Sequence, residues 1–105
     1  MKMSIMHQVR AQLIDETPML TLADLCRSCG VSHITIETWV LEGILLPAGT
    51  HPDDWRFNDS MLRRARLAQQ MADDMELNPA GIALALDLLD QIDALRTQLT
   101  RMGAA

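Results

Sequence analysis

Two cysteines and a histidine lie close enough in the sequence to hold a metal ion or to carry out thiol chemistry. Cys26 and Cys29 are three residues apart, and His33 follows four residues later. A structural zinc site needs four ligands, however, and the other histidines, His7 and His51, are distant in the sequence. A redox Cys-x-x-Cys motif begins a helix after a strand, whereas this pair falls at the end of a predicted helix. We therefore interpret the two cysteines as small core residues or a chance helical pair, and we expect no metal site.

No other arrangement of side chains suits catalysis. The sequence contains no G-x-S-x-G turn, no phosphate-binding P-loop and no dinucleotide-binding glycine pattern. We therefore expect a protein that is not an enzyme and that needs no cofactor.

Carboxylates outnumber cations, with 14 Asp and Glu against 9 Lys and Arg and a formal net charge of -5. An acidic protein is attracted to basic partners rather than to nucleic acid. Each acidic cluster also has a simpler interpretation, as a solvated helix face or as a charge at a helix end. The candidate partner-binding residues are Asp87, Asp90 and Asp93, beside apolar residues of the last predicted helix, and Asp73, Asp74 and Glu76, just before that helix begins.

A helix-turn-helix is predicted near the start of the chain. Thr21 caps a first helix over residues 22–28, Gly30 provides a left-handed turn, and Ser32 begins a second helix that runs to Glu42. In this motif the second helix reads the major groove of DNA, but here it contains no Lys or Arg. The motif therefore indicates DNA binding. The absence of cations from the second helix argues against it, because affinity for DNA comes mostly from cations that contact phosphates.

The remainder of the chain predicts a small wing and two longer helices. Residues 44–47 and 55–57 surround a polar loop, which is typical of a two-stranded wing. Asn58 or Asp59 caps a third helix, and Asn78-Pro79 begins a fourth. We predict a mainly α, single-domain protein over residues 1–105, composed of a winged helix-turn-helix (20–57), a third helix (58–76) and a C-terminal helix (78–102).

The C-terminal helix is apolar on more than one side. One set of residues repeats at spacings of 4, 3, 4 and 3, an a/d seam of about two and a half heptads. Either this seam is covered within the monomer or it pairs with a second copy of the chain, and we predict a homodimer. The seam consists of Leu88, Ile92, Leu95, Leu99 and Met102.

The sequence also predicts a location. No stretch approaches the roughly 20 apolar residues that a membrane span requires, and residues 1–13 lack the apolar core of a signal peptide. We therefore expect a cytoplasmic protein with reduced thiols.

Four short runs occur in a fixed order between residues 20 and 60: LTLADL at 20–25, GVS at 30–32, TIETW at 35–39 and EGILLP at 42–47. This order resembles the winged helix-turn-helix of MerR-type regulators. Those regulators usually carry Arg-Tyr in the middle of the recognition helix, where this chain has Glu37-Thr38. Their wing normally offers Arg and Tyr to the phosphates, whereas the wing here is HPDDWRF at 51–57. Because carboxylates repel phosphates, the resemblance transfers no DNA-contact role to these positions.

A second resemblance covers about residues 20–100. It rests on WRFND at 55–59, on Arg64 and Arg66 in the third helix, and on LNPAGIALALDLLDQI at 77–92. These segments resemble the CbpM family of chaperone modulators, and Asp90 matches an acidic position of the family pattern. The resemblance implies a non-enzymatic protein that binds the J-domain of a CbpA/DnaJ-type co-chaperone and inhibits its co-chaperone and DNA-binding activity by occlusion. It also implies a basic helix as the surface to be bound. The alternative is a dimeric MerR-type transcriptional regulator that binds DNA.

Overall fold

The computed structural model describes residues 20–103. Within this range the chain forms helices α1 (Leu22–Cys29), α2 (His33–Leu41), α3 (Asp59–Met75) and α4 (Pro79–Arg101), with a short 3-10 helix at Pro52–Asp54. The mainly α architecture is confirmed for these residues. The loose apolar alternation of residues 8–14, which fits a half-buried strand or a short helix, lies outside the described range.

Side-chain hydrogen bonds at the helix N-termini explain where the helices begin. The Thr21 hydroxyl accepts from the Asp24 N–H at 3.1 Å, and the Asp24 carboxylate accepts from the Thr21 N–H at 3.0 Å, which completes a capping box. Gly30 ends α1 with a left-handed φ of 68° and turns the chain into α2. Side-chain oxygens cap the other three α-helices in the same way, at Ser32, Asn58 and Asn78.

One face of α2 packs against a largely aliphatic core. Ile36 and Trp39 of α2 and Ile82 and Leu86 of α4 are each no more than 2% exposed. Since Ile36 and Trp39 lie on the same side of α2, the opposite side of that helix faces solvent. The other buried core residues are Leu25, Cys26, Ile44, Leu45, Trp55, Phe57, Met61, Ala65, Ala68 and Met71.

The predicted two-stranded wing is not confirmed. Residues 44–47 do not form a strand. The Ile44 N–H at the start of this segment donates to the Trp39 carbonyl at 2.8 Å and so completes the end of α2. Ala48 and Arg56 exchange two backbone hydrogen bonds, of 2.9 and 3.0 Å, in an isolated bridge. The next hydrogen-bonded pair of an antiparallel ladder would use Leu46, whose N–H donates instead to the Met61 sulfur at 3.3 Å. The wing is therefore a loop closed at its base by one residue pair.

Helix α4 packs on the domain with its N-terminal half only. Its buried residues are Ile82, Leu86 and Asp90, whereas every residue from 92 to 101 is exposed. With a rise of about 1.5 Å per residue, roughly half of this helix extends beyond the core. No described helix is both long enough and apolar enough to cross a membrane.

Candidate protein-interaction surfaces

The first group of predicted carboxylates lies where α3 turns into α4. Asp73, Asp74 and Glu76 are exposed, and the Asp73 carboxylate accepts a hydrogen bond from the Gln69 amide at 2.7 Å. The N-terminus of α4 is already capped by Asn78. The cap is therefore formed without these carboxylates, which are accessible to a cationic partner.

The second group, on α4, is divided by the packing of the helix. Asp93 is exposed and Asp87 is half-buried, but Asp90 is buried. Asp90 therefore does not share a solvent-exposed surface with the other two, and partner binding by these residues remains a prediction. Each three-residue step moves a side chain by about 60° around the helix, and the middle carboxylate is the one that faces α3. Asp93 lies one turn further along, beyond the last buried residue of α4.

Asp90 is paired with Arg64 of α3. The guanidinium Nη2 of Arg64 lies 3.3 Å from Oδ2 of Asp90, and the two side chains are 10% and 6% exposed. The Nε of Arg64 also donates to the carbonyl of Ile44 at 2.6 Å. One arginine thus ties together α3, α4 and the segment that follows α2. Burial raises the pKa of Asp90 above the usual aspartate value, and the Arg64 charge opposes that rise.

An open cleft of about 290 Å³ lies beside this pair, between α3 and α4. Its lining includes the cation of Arg63, the carboxylate of Asp93 and the apolar side chains of Leu67 and Leu89. Because the cleft presents both signs of charge, its electrostatics favour neither a basic nor an acidic ligand.

The predicted seam of α4 is exposed in the described structure. Leu88, Ile92, Leu95, Leu99 and Met102 have exposed fractions between 43% and 77%. Residues 20–103 therefore do not cover the seam, so coverage within the monomer is excluded for this part of the chain. Pairing with a second copy remains a prediction.

The solvent face of α2 carries two large apolar side chains. Ile34 is 73% exposed and Leu41 is 87% exposed, and they lie seven residues, or about two turns, apart. Thr38 lies between them and donates its hydroxyl to the Ile34 carbonyl at 2.8 Å. Sequence reasoning missed this pair, because by residue type alone Ile34 and Leu41 resemble the core residues of the same helix. The seven-residue spacing, on the side opposite Ile36, is the signal that would have identified them.

The cysteines have the surroundings of structural thiols. Cys26 is buried and Cys29 is half-buried, and burial raises the pKa of both thiols. A raised pKa disfavours the thiolate, which is the nucleophile and the metal ligand. Among residues 20–103 there is no group of three or more His, Cys, Asp and Glu placed to hold a metal ion.

Comparisons with known proteins identify relatives along most of the chain. Residues 20–103 match the family described as MerR HTH family regulatory protein. A chaperone modulatory protein CbpM from Coxiella burnetii (strain Dugway 5J108-111) is 32% identical over 91 residues, which cover 87% of this chain and 86% of that protein. A chaperone modulatory protein CbpM from Pseudomonas putida (strain GB-1) is 34% identical over 79 residues, which cover 75% of this chain and 78% of that protein.

Proposed function

This chain belongs to the CbpM family of MerR-type helix-turn-helix proteins, and we propose that it binds the J-domain of a CbpA/DnaJ-type co-chaperone and inhibits it by occlusion. Its relatives are named chaperone modulatory proteins, and that name describes no enzyme. In this proposal the protein acts without a cofactor, in the cytoplasm. It covers the surface of the co-chaperone that the DnaK-type chaperone would otherwise contact, and it also lowers the DNA binding of the co-chaperone.

The charge of the helix-turn-helix is the observation that carries this proposal. The segment from Ser28 to Trp55, which includes the whole of α2, contains four carboxylates and no Lys or Arg. A helix that enters the major groove lies between two rows of phosphates, so this segment would gain no counterion release there and would be repelled. A basic protein surface is the partner that this charge favours.

The open carboxylates supply the rest of the acidic surface in the proposal. Asp73, Asp74 and Glu76 lie at the turn between α3 and α4, and Asp87 and Asp93 lie on α4. For these five residues we propose contacts with cationic side chains of the J-domain. Asp90 acts indirectly, since its pairing with Arg64 fixes the orientation of α4 and hence of the acidic side chains beside it.

We further propose that the chain forms a homodimer through α4. The apolar seam from Leu88 to Met102 has the spacing of a two-stranded coiled coil, and its side chains are exposed in residues 20–103. A helical segment as short as the exposed half of α4, residues 92–101, is only marginally stable by itself in water. A second copy that packs along the seam would stabilise the exposed half of α4.

A DNA-binding transcriptional regulator is the second candidate, and the fold together with two cations favours it. Arg63 and Arg66 on α3 are exposed and lie outside the acidic segment. If DNA binding exists, their replacement by glutamine should abolish it, as measured by mobility shift with promoter fragments. A sequence-specific shift with the unaltered protein would favour the regulator over the modulator.

The proposed inhibition is tested by a coupled ATPase assay. The CbpA-type co-chaperone from the same genome stimulates its DnaK-type chaperone, and the present protein is added up to and beyond an equimolar amount. We expect the stimulated component of the ATPase rate to fall as the protein is added and to disappear when the protein is in excess, while the basal rate of the chaperone alone stays constant. Full stimulation at a large excess of the protein would contradict the proposal.

A further inference from the structure

The solvent face of α2 is an amphipathic surface without a described partner. Its apolar part consists of Ile34 and Leu41, which are more than two-thirds exposed. Glu37 lies beside them within the same helix, and Glu42 follows at its C-terminal cap. Because the core is on the other side of α2, neither apolar side chain contributes to the packing of this helix within residues 20–103. Apolar side chains grouped on one face, with polar residues at its border, are the pattern of an interaction surface.

The chemistry of this face selects one kind of occupant. Two apolar anchors about 10 Å apart along a helix, with carboxylates beside them, complement a helix that has apolar side chains on one face and cations at its border. Nucleic acid does not fit, because the segment from Ser28 to Trp55 carries four carboxylates and no Lys or Arg. A second copy does not fit either, because a twofold contact between two α2 helices would bring like charges together.

We propose that the solvent face of α2, formed by Ile34, Glu37, Leu41 and Glu42, is the docking surface for a cationic amphipathic helix of the protein partner. In the proposed function, on which this inference rests, that helix belongs to the J-domain. The surface that reads DNA in other helix-turn-helix proteins is thereby used for protein binding. Ile34 and Leu41 are the anchors, and Glu37 and Glu42 supply the electrostatic attraction.

The test uses the full chain and a double variant that truncates both anchors, Ile34→Ala with Leu41→Ala. The matched control is Leu84→Ala, which removes another leucine that is exposed on a helix. Affinity for the J-domain is measured by fluorescence anisotropy. Truncation of a central apolar anchor costs about 1 kcal/mol or more, so we expect the double variant to weaken binding by roughly tenfold or more and the control to bind as the unaltered protein does. Glu37→Gln should reduce the salt dependence of the affinity.

Several results would overturn the docking surface. Unchanged J-domain affinity in the double variant, with clear binding by the unaltered protein, would show that the partner docks elsewhere. A lower melting temperature of the variant without partner would mean that residues of this chain cover the face. A change in its oligomeric mass would mean that a second copy does.

A second probe separates this inference from the proposed function. A model Leu/Lys amphipathic peptide replaces the J-domain in the same titrations. If the J-domain does not bind but the peptide binds in a way that Ile34→Ala with Leu41→Ala weakens and Leu84→Ala does not, the docking surface is supported and the proposed function fails. If the peptide binds the double variant as tightly as the unaltered protein, the docking surface is wrong.

Discussion

Replacement of Arg64 by methionine is expected to destabilise the fold strongly, because this arginine joins three segments. Its guanidinium pairs with Asp90 at 3.3 Å and its Nε donates to the Ile44 carbonyl at 2.6 Å, with only 10% of the side chain exposed. Methionine fills a similar length but carries no charge and no donor. Removal of one partner of a buried ion pair costs about 3–5 kcal/mol. Since the 3.3 Å separation is long for a charged hydrogen bond, we expect the low end, about 3 kcal/mol.

The assay is chemical and thermal unfolding followed by circular dichroism. For a domain of this size, 1 kcal/mol corresponds to about 4–8 °C in Tm, so a fall of roughly 12 °C or more is expected for Arg64→Met. The double variant Arg64→Met with Asp90→Leu should recover part of this loss, because it leaves no buried carboxylate without its counter-charge. A free energy of unfolding for Arg64→Met within about 1 kcal/mol of that of the unaltered protein would refute this account of the pair. A double variant no more stable than Arg64→Met would refute it as well.

The pH dependence of stability provides an independent check on the same pair. The pKa of Asp90 is raised in the fold, so the folded chain holds this proton more tightly than the unfolded chain does. The contribution of Asp90 to the free energy of unfolding is therefore greatest below the unfolded pKa. It falls as pH rises through the window between the unfolded and the folded pKa. Asp90→Asn should remove this component, and an unchanged pH profile in that variant would contradict the assignment.

Three further predictions concern other parts of the molecule. Leu95→Glu in the exposed seam should convert the proposed dimer into a monomer in analytical ultracentrifugation, and persistence of the dimer would place the interface elsewhere. Cys26, which is buried, should react more slowly than Cys29 with a thiol reagent near neutral pH. If both thiols react at the same slow rate until the protein unfolds, Cys29 is as protected as Cys26 and the prediction is wrong. Asn78→Ala removes the cap of α4 and should lower the free energy of unfolding by about 1 kcal/mol, whereas an unchanged urea midpoint would show that the cap contributes nothing.

Features that depend on neighbouring residues could be predicted from the sequence. The capping box of Thr21 and Asp24, the left-handed turn at Gly30 and the cap at Asn78 each involve residues within a few positions of one another. Their side-chain chemistry therefore specifies the structure locally. The same holds for the seam of α4, where heptad spacing indicated a face that residues 20–103 leave exposed.

Features that depend on distant residues could not be predicted in this way. The sequence places Asp90 among other carboxylates, but only the packing of α4 on α3 shows that it faces Arg64, 26 residues away. Ile34 and Leu41 have the residue types of a core, and the structure shows that Ile36 and Trp39 occupy the core instead. The two-stranded wing is not confirmed, because the Ile44 N–H donates to the Trp39 carbonyl at the end of α2. Apolar patterning does not predict that hydrogen bond.

Isothermal titration calorimetry against the J-domain of the CbpA-type co-chaperone from the same genome, at low and at moderate salt, tests the central claim most directly. The account predicts binding in the micromolar range or tighter that weakens as salt rises, because carboxylates on this protein attract cations on the partner. Absence of binding at both salt concentrations would contradict the proposed function, and an affinity that does not change with salt would contradict its electrostatic basis.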